Sequence, residues 1–363
     1  MGPAAPFRGG IAQFTDNMAK HLSLYHEVSI FTFIQQYPSF LFPGKNQREN
    51  APLPAPSNLL QIPILTPYNL FTWKKTVRAI LEKKPDVLLI KFWIPFFCPA
   101  YIYIIHKLKK LSNIKIHILC HNIEFHEKWL FSDFFVSKML KKADKVIVLS
   151  ENVFSQARKF VPSHKIKKLF HPMYNIEPST FTPQESFRFL DIPDKPSVLF
   201  IGNIKPYKGL DILLRAIPIV QNIIPDLQFI IAGEIYGNNS IYKKYIPQDD
   251  TNIIFRNQFI PINELQHYLN IASVVVAPYR TASQSGIVQI AFSYLKPVIA
   301  ANIPGLKEMI IENKTGYLFK SEDINELANK IIDFFRHKGS INYKEFILEN
   351  NQNYTWERFI SLL

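Results

Sequence analysis

Phe200-Ile201-Gly202-Asn203-Ile204-Lys205-Pro206-Tyr207-Lys208-Gly209-Leu210 is the stretch whose reading decides the fold. An apolar run, Val198 to Ile201, ends at a glycine, a short connection carries two lysines, and Asp211 to Ile217 follows with helical spacing. A buried strand that breaks into a glycine turn and opens a helix is a unit of a parallel sheet, and in open parallel sheets ligands bind outside the carboxyl ends of the strands. Lys205 and Lys208 fall on that edge. Taken alone they suit a phosphate site and a solvated loop equally well.

A second break of the same kind separates those readings. Val274-Val275-Val276-Ala277 runs into Pro278-Tyr279-Arg280-Thr281-Ala282-Ser283-Gln284-Ser285-Gly286 and then a helical Ile287 to Ala291. Ser283, Gln284, Ser285 and Gly286 stand at the helix start, where unpaired amides and the positive end of the dipole favour an anion. Gly286 allows close backbone approach. An N-cap serine accounts for Ser283 or Ser285 singly, but not for two strand-loop-helix anion sites in one half of a chain.

The 363 residues fit two domains of ordinary size, and 47% hydrophobic with 14% aromatic residues supply two cores. Cys98 and Cys120 make no disulfide framework and no metal-ligand spacing, which points to a reducing cytoplasm. No apolar run is long enough to span a bilayer, and the N-terminus lacks a secretory signal pattern. The net charge of +13 implies an anionic partner: a nucleoside diphosphate, an anionic membrane or, less in keeping with the absence of any recognised module, nucleic acid. Lysines gather at 107–110, 138–142 and 165–168. Phe92, Trp93, Phe96, Phe97, Tyr101 and Tyr103 adjoin the first group, and Trp129 to Phe135 the second. Aromatics beside lysines suit a lipid interface; a buried aromatic core with a solvated basic face suits the same pattern.

Strand-like segments at Val28–Phe33, Val87–Ile90, Ile114–Leu119 and Val146–Leu149 alternate with helical ones at Thr72–Lys83 and Tyr101–Leu111. Further strands are expected near Val198 and at Phe229–Ala232, Ile253–Phe255, Val274–Ala277 and Val298–Ala300. The alternation predicts two parallel sheets wrapped by helices. The expected division is an N-terminal domain over 1–175, a proline-broken linker over 176–196, a C-terminal domain over 197–340 and a helical tail over 341–363 that crosses back. Gly9-Gly10-Ile11 resembles the loop after a first strand, yet no strand precedes it. The first strand is therefore expected to be missing or truncated.

In order along the chain, the Gly9-Gly10-Ile11 loop, Cys120-His121-Asn122, the Gly202–Leu210 loop, Ala232-Gly233-Glu234 and the Pro278–Glu308 block resemble the retaining glycosyltransferases of family 4. The resemblance implies an α/β protein of the GT-B fold, two Rossmann-like doubly wound domains facing a cleft. The implied donor, a nucleoside-diphosphate sugar, binds the C-terminal domain, and the acceptor the N-terminal one. Carried onto this chain, Lys208 contacts the diphosphate, and Gln284, Ser285 and Gly286 offer it backbone amides. His121 contacts the donor sugar, Gly202, Asn203, Lys205, Gly233 and Glu234 complete the donor site, and Gly9 and Gly10 belong to the loop shared by donor and acceptor. No metal and no cofactor is implied.

The chain departs from the family pattern at the usual pair of glutamates, whose positions hold Ala282 and Ile290. Ribose binding is then expected from Gln289 and sugar contact from Ser283 or Gln284. Asn203 stands where an arginine is usual, with Lys205 as the second cation. A branch with a Ser-Gln-Ser-Gly loop resembles this chain more closely. The expected function is a metal-independent retaining hexosyltransferase acting on a glycan or lipid-linked acceptor at the cytoplasmic membrane face. The alternatives are a non-catalytic sugar-nucleotide-binding or scaffold protein and a nucleotide-sugar epimerase.

Overall fold

The structure, a computed structural model, describes residues 1–38, 46–48, 59–123, 131–173, 181–236, 242, 244–245, 250–283 and 285–363. They form two units, Met1–His171 with Trp356–Leu363, and Pro172–Thr355.

In the first unit β1 (Ser29–Phe33) pairs in parallel with β2 (Leu60–Leu65). β3 (Val87–Phe92), β4 (Lys115–Cys120), β5 (Lys145–Val148) and β6 (Ile166–Lys168) form a second parallel sheet in that order. Met1 and Gly2 lie between the two. The Met1 amino group donates to Leu89 O (2.6 Å), Lys91 N donates to Met1 O (2.9 Å), and Gly2 N donates to Phe31 O (3.1 Å). This short extended segment takes the place of the expected first strand and joins β1 to β3.

α1 (Gly10–Leu22), α2 (Leu70–Lys83) and α3 (Cys98–Leu111) present apolar stripes to these sheets. In α3 the buried set Cys98, Tyr101, Ile104, Ile105 and Leu108 recurs every three or four residues, the spacing of one helix face. Phe92, Phe97 and Tyr101 are fully buried, and Trp93 and Phe96 pack partly buried against the same core. The expectation of a lipid-facing aromatic run at 92–97 is therefore overturned. Burial of each such ring is worth about 1.5–3 kcal/mol, and the core claims it. Trp129 and Leu130 of the second aromatic group lie outside the described residues.

The second unit is a single parallel sheet of β7 (Ser197–Ile201), β8 (Gln228–Ala232), β9 (Ile253–Arg256), β10 (Val274–Ala277), β11 (Val298–Ala301) and β12 (Gly316–Phe319), ordered β12-β11-β10-β7-β8-β9. Counted from β7 this is the 3-2-1-4-5-6 order of doubly wound sheets, with the switch point where β7 pairs β10 through Val198↔Val274 and Leu199↔Val275. Every residue of β7, β8, β10 and β11 is buried, as strands covered on both faces require.

Part of the expected linker is a helix, Pro183–Leu190, belonging to this unit. Thr182 and Glu185 form a reciprocal capping box, and Pro183 occupies the first turn, where its missing N–H costs nothing. Of the helical tail, Tyr343–Asn351 belongs to the second unit, where Tyr343 donates to Tyr317 Oη at 3.0 Å. Trp356–Ser361 belongs to the first, with Trp356 5.1 Å from the Phe14 ring.

Candidate functional site

Crossovers from the two sides of β7 and β10 leave in opposite directions, so the loops after these strands flank the switch point of the second unit. After β7, Gly202 turns the chain at φ 108° and Pro206–Lys208 makes one 3-10 turn before the helix Leu210–Gln221. Gly209 adopts φ 67°, and a Cβ there would come 1.9 Å from Pro278 O. A Cβ on Gly233, at the end of β8, would come 2.0 Å from Gly202 O. These two glycines serve backbone packed on backbone, holding the loops of β7, β8 and β10 together.

Lys208 is half-buried and its Nζ donates to Tyr279 Oη at 2.9 Å, 4.5 Å from the centre of that ring. Burial alone would lower its pKa; Tyr279 and Tyr207 outweigh it and hold the amine above its ordinary value, so Lys208 is a cation at neutral pH. Lys205 is half-buried with Nζ 5.5 Å from the Tyr236 ring, and Asn203 is exposed. Glu234 O accepts from Ile204 N at 2.8 Å, joining the loops after β7 and β8.

After β10, Ser285 caps the helix Gly286–Ser293, its hydroxyl accepting from Val288 N at 3.4 Å. Gly286 is the first helical residue, and Ser283 lies half-buried just before the cap. Gln284 lies outside the described residues. Gln289, one turn into the helix, is 5% exposed, and its Oε1 has no hydrogen-bond partner among the described residues. A buried amide oxygen left open costs about 1–3 kcal/mol, which a ligand hydroxyl would recover. Ile290 belongs to the apolar core and Ala282 packs against it, so neither usual glutamate position carries a polar group.

Arg280 and Asp211, neither singled out by the sequence, form a two-pronged ion pair across these loops (2.8 and 2.7 Å). The signal available was an arginine just after one switch-point strand and an aspartate in the first turn after the other.

The first unit holds His121 and the Gly9-Gly10 loop. Gly9 turns at φ 103° before α1, exposed, as is Gly10. His121 follows β4 and is 4% exposed, its ring edge-on to Phe14 at 5.0 Å; His171 meets the same ring at 4.9 Å. Burial first, then Lys91 and His171, drives its pKa well below the ordinary value, so it is a neutral imidazole. Lys91, unremarked in the sequence, is 1% exposed, with Nζ 3.8 Å above the Phe14 ring and 3.4 Å from Met18 Sδ. Burial pushes its amine far below the ordinary value. Among the described residues no three His, Cys, Asp or Glu side chains gather as a metal site would need, and no helix is long and apolar enough to cross a membrane.

Residues 8–170 match the family described as Glycosyltransferase Family 4, and residues 195–337 match Glycosyl transferases group 1. The lipopolysaccharide 1,2-N-acetylglucosaminetransferase of Salmonella typhimurium is 23% identical over 59% of this chain and 64% of its own. A D-inositol 3-phosphate glycosyltransferase of Mycolicibacterium smegmatis is 26% identical over 53% and 46%. The chain spans about half the length of the curated relatives it matches. Among solved structures, a glycosyltransferase from Rickettsia africae superposes with a TM-score of 0.72 at 18% identity, covering 99% of this chain and 96% of that one. Anabaena Alr3699/HepE in complex with UDP-glucose superposes with a TM-score of 0.74 at 14% identity, covering 99% and 97%. These likenesses establish the fold.

Proposed function

We propose that this chain, which belongs to the glycosyltransferases of the GT-B fold, moves a hexose from a nucleoside-diphosphate sugar to a glycan or lipid-linked acceptor with retention of configuration. The observation that carries the reading is the pairing, at one switch point, of a held ammonium on Lys208 with a helix N-terminus at Ser285 and Gly286. As the bond between the sugar and the diphosphate breaks, negative charge grows on the departing oxygen, and fixed donors aimed there lower the barrier. The acceptor hydroxyl attacks from the same face and its proton passes to the departing phosphate oxygen, so neither a protein nucleophile nor a metal is needed. Gln289 Oε1 is assigned to the ribose and His121, as a neutral hydrogen-bonding group, to the sugar. Lys205, Asn203, Gly202, Gly233, Glu234, Ser283 and Gln284 complete the donor site, and Gly9 and Gly10 the loop shared with the acceptor.

A lipid-linked acceptor goes with peripheral attachment to the inner face of an anionic membrane. Leu70 and Phe71 are 61% and 77% exposed at the start of α2. Lys74 and Arg78 follow on the same face and, with Lys107, line a groove between α2 and α3. The second reading, donor binding without turnover, is favoured by the apolar residues at Ala282 and Ile290. Incubation with a panel of nucleotide sugars and candidate acceptors, read by mass spectrometry, separates the two: a glycosylated product with release of nucleoside diphosphate supports transfer, and saturable binding without product supports the second.

A further inference from the structure

The turn that carries Lys208 is tied residue by residue to the loop after β10, and Arg280 makes most of the ties. Its Nη1 donates to Pro206 O (2.9 Å) and Asp211 Oδ1 (2.8 Å), and its Nη2 to Asp211 Oδ2 (2.7 Å). Its Nε donates to Glu322 Oε1 (2.8 Å), and its backbone N–H to Tyr207 O (2.8 Å). The neighbouring Tyr279 takes the Lys208 ammonium, and Pro278 O lies against Gly209. Pro206, Tyr207, Lys208, Gly209 and Asp211 thus each meet one of Pro278, Tyr279 and Arg280 across the switch point. The guanidinium makes four side-chain bonds from three nitrogens, two of them to the two oxygens of Asp211; an ammonium of equal charge, with three donors on one atom, cannot reproduce that fork. Burial would raise the Asp211 pKa, but the hydrogen bonds and charge of Arg280 outweigh it and hold the carboxylate ionised.

A lysine on a free loop spreads over many rotamers and loses that freedom on binding. We infer that Arg280, anchored by Asp211 and Glu322, is a positioning residue that holds the Lys208 turn in the geometry that receives a diphosphate. The inference rests on the reading of this site as a nucleotide-sugar site. The guanidinium is committed to its two carboxylates and acts through the lysine.

The test is titration calorimetry of UDP, GDP, ADP, CDP and TDP with wild type, Arg280→Lys, Asp211→Asn, Lys208→Ala and the doubles with Lys208→Ala, with circular dichroism to verify folding. Arg280→Lys keeps the charge and removes the fork. It and Asp211→Asn should each weaken the best-bound nucleotide about 10-fold, the scale of one charge-assisted hydrogen bond. In the Lys208→Ala background neither should weaken it further, because non-additivity is the mark of residues that act as one. Wild-type affinity in both single variants would overturn the inference. So would an unchanged 10-fold loss in the absence of Lys208, which is what a merely structural role gives. Should Arg280→Lys not fold, Asp211→Asn carries the same comparison; should both unfold, Arg280 is an anchor of the fold and the inference fails. If wild type binds none of the five nucleotides, the donor reading fails and takes the inference with it, a result visible before any variant is made.

Discussion

The Lys208 ammonium lies 2.9 Å from the phenolic oxygen of Tyr279 and 4.5 Å from the centre of the same ring. One side chain from the loop after β7 is thereby held by one from the loop after β10, with its charge reinforced. Lys208→Ala should lower donor affinity or turnover by roughly 10- to 100-fold, since a hydrogen bond to a charged group contributes about 1.5–3 kcal/mol. Steady-state kinetics or calorimetry checks it, with Lys205→Ala expected to do less.

Chelation should leave activity intact. The charge on the leaving diphosphate is assigned to Lys208 and to the helix start at Ser285, both of them supplied by the chain. Turnover measured in excess EDTA should equal that without it. Loss of activity restored by magnesium or manganese would reject the scheme.

Acid should destabilise the first unit through His121. Its folded pKa lies below the unfolded value, so below about pH 6.5 the unfolded chain binds the extra proton and stability falls with pH. Each pH unit below that point costs up to about 1.4 kcal/mol from this one site. Asp16 works the other way: burial, partly offset by a hydrogen bond from Ala5, raises its folded value to about 6, so its contribution grows as pH falls below that value. Comparing wild type with His121→Gln cancels Asp16, and the variant should show the shallower loss of Tm between neutral and acidic pH.

Gly233→Ala should cost stability of the second unit, in addition to any effect on the donor site that Gly233 is assigned to. The new methyl would sit 2.0 Å from Gly202 O, and neither backbone can retreat without breaking the pairing of β7 with β8. Overpacking of this kind costs about 1–3 kcal/mol, occasionally more. Thermal unfolding of the second unit gives the value.

The proposed attachment to an anionic membrane is tested at Leu70, Phe71, Lys74, Arg78 and Lys107, the exposed apolar and cationic residues around α2 and α3. Phe71→Ser combined with glutamine at the three cationic positions should release the protein from anionic vesicles, each cation near such a surface contributing about 1 kcal/mol. Co-sedimentation that is equal on neutral and anionic lipid and indifferent to salt would reject membrane binding.

The sequence made the central strands legible because each is an unbroken apolar run, as in Val198–Ile201 and Val274–Ala277. The strands it did not announce, Leu60–Leu65, Ile166–Lys168 and Gly316–Phe319, all lie at sheet edges. An edge tolerates Pro63 or two lysines, because one side of the strand needs no partner. Lys208 and Ser285 could be read from their places after a strand and before a helix. Arg280, Asp211 and Tyr279 could not, since their roles depend on which two strands become neighbours, and adjacency of β7 and β10 is a property of topology rather than of local pattern. The place of His121 at a strand end was legible in Cys120-His121-Asn122; its burial against Phe14 comes from α1, far away in sequence.

Lys91 makes the first unit its own gauge. An amine sealed beneath Phe14 and Met18 cannot meet an acylating reagent until that unit opens. The rate at which mass spectrometry finds Lys91 modified therefore reads the opening of one half of the chain while the other stays silent, so that damage done by a variant can be assigned to the unit that suffers it.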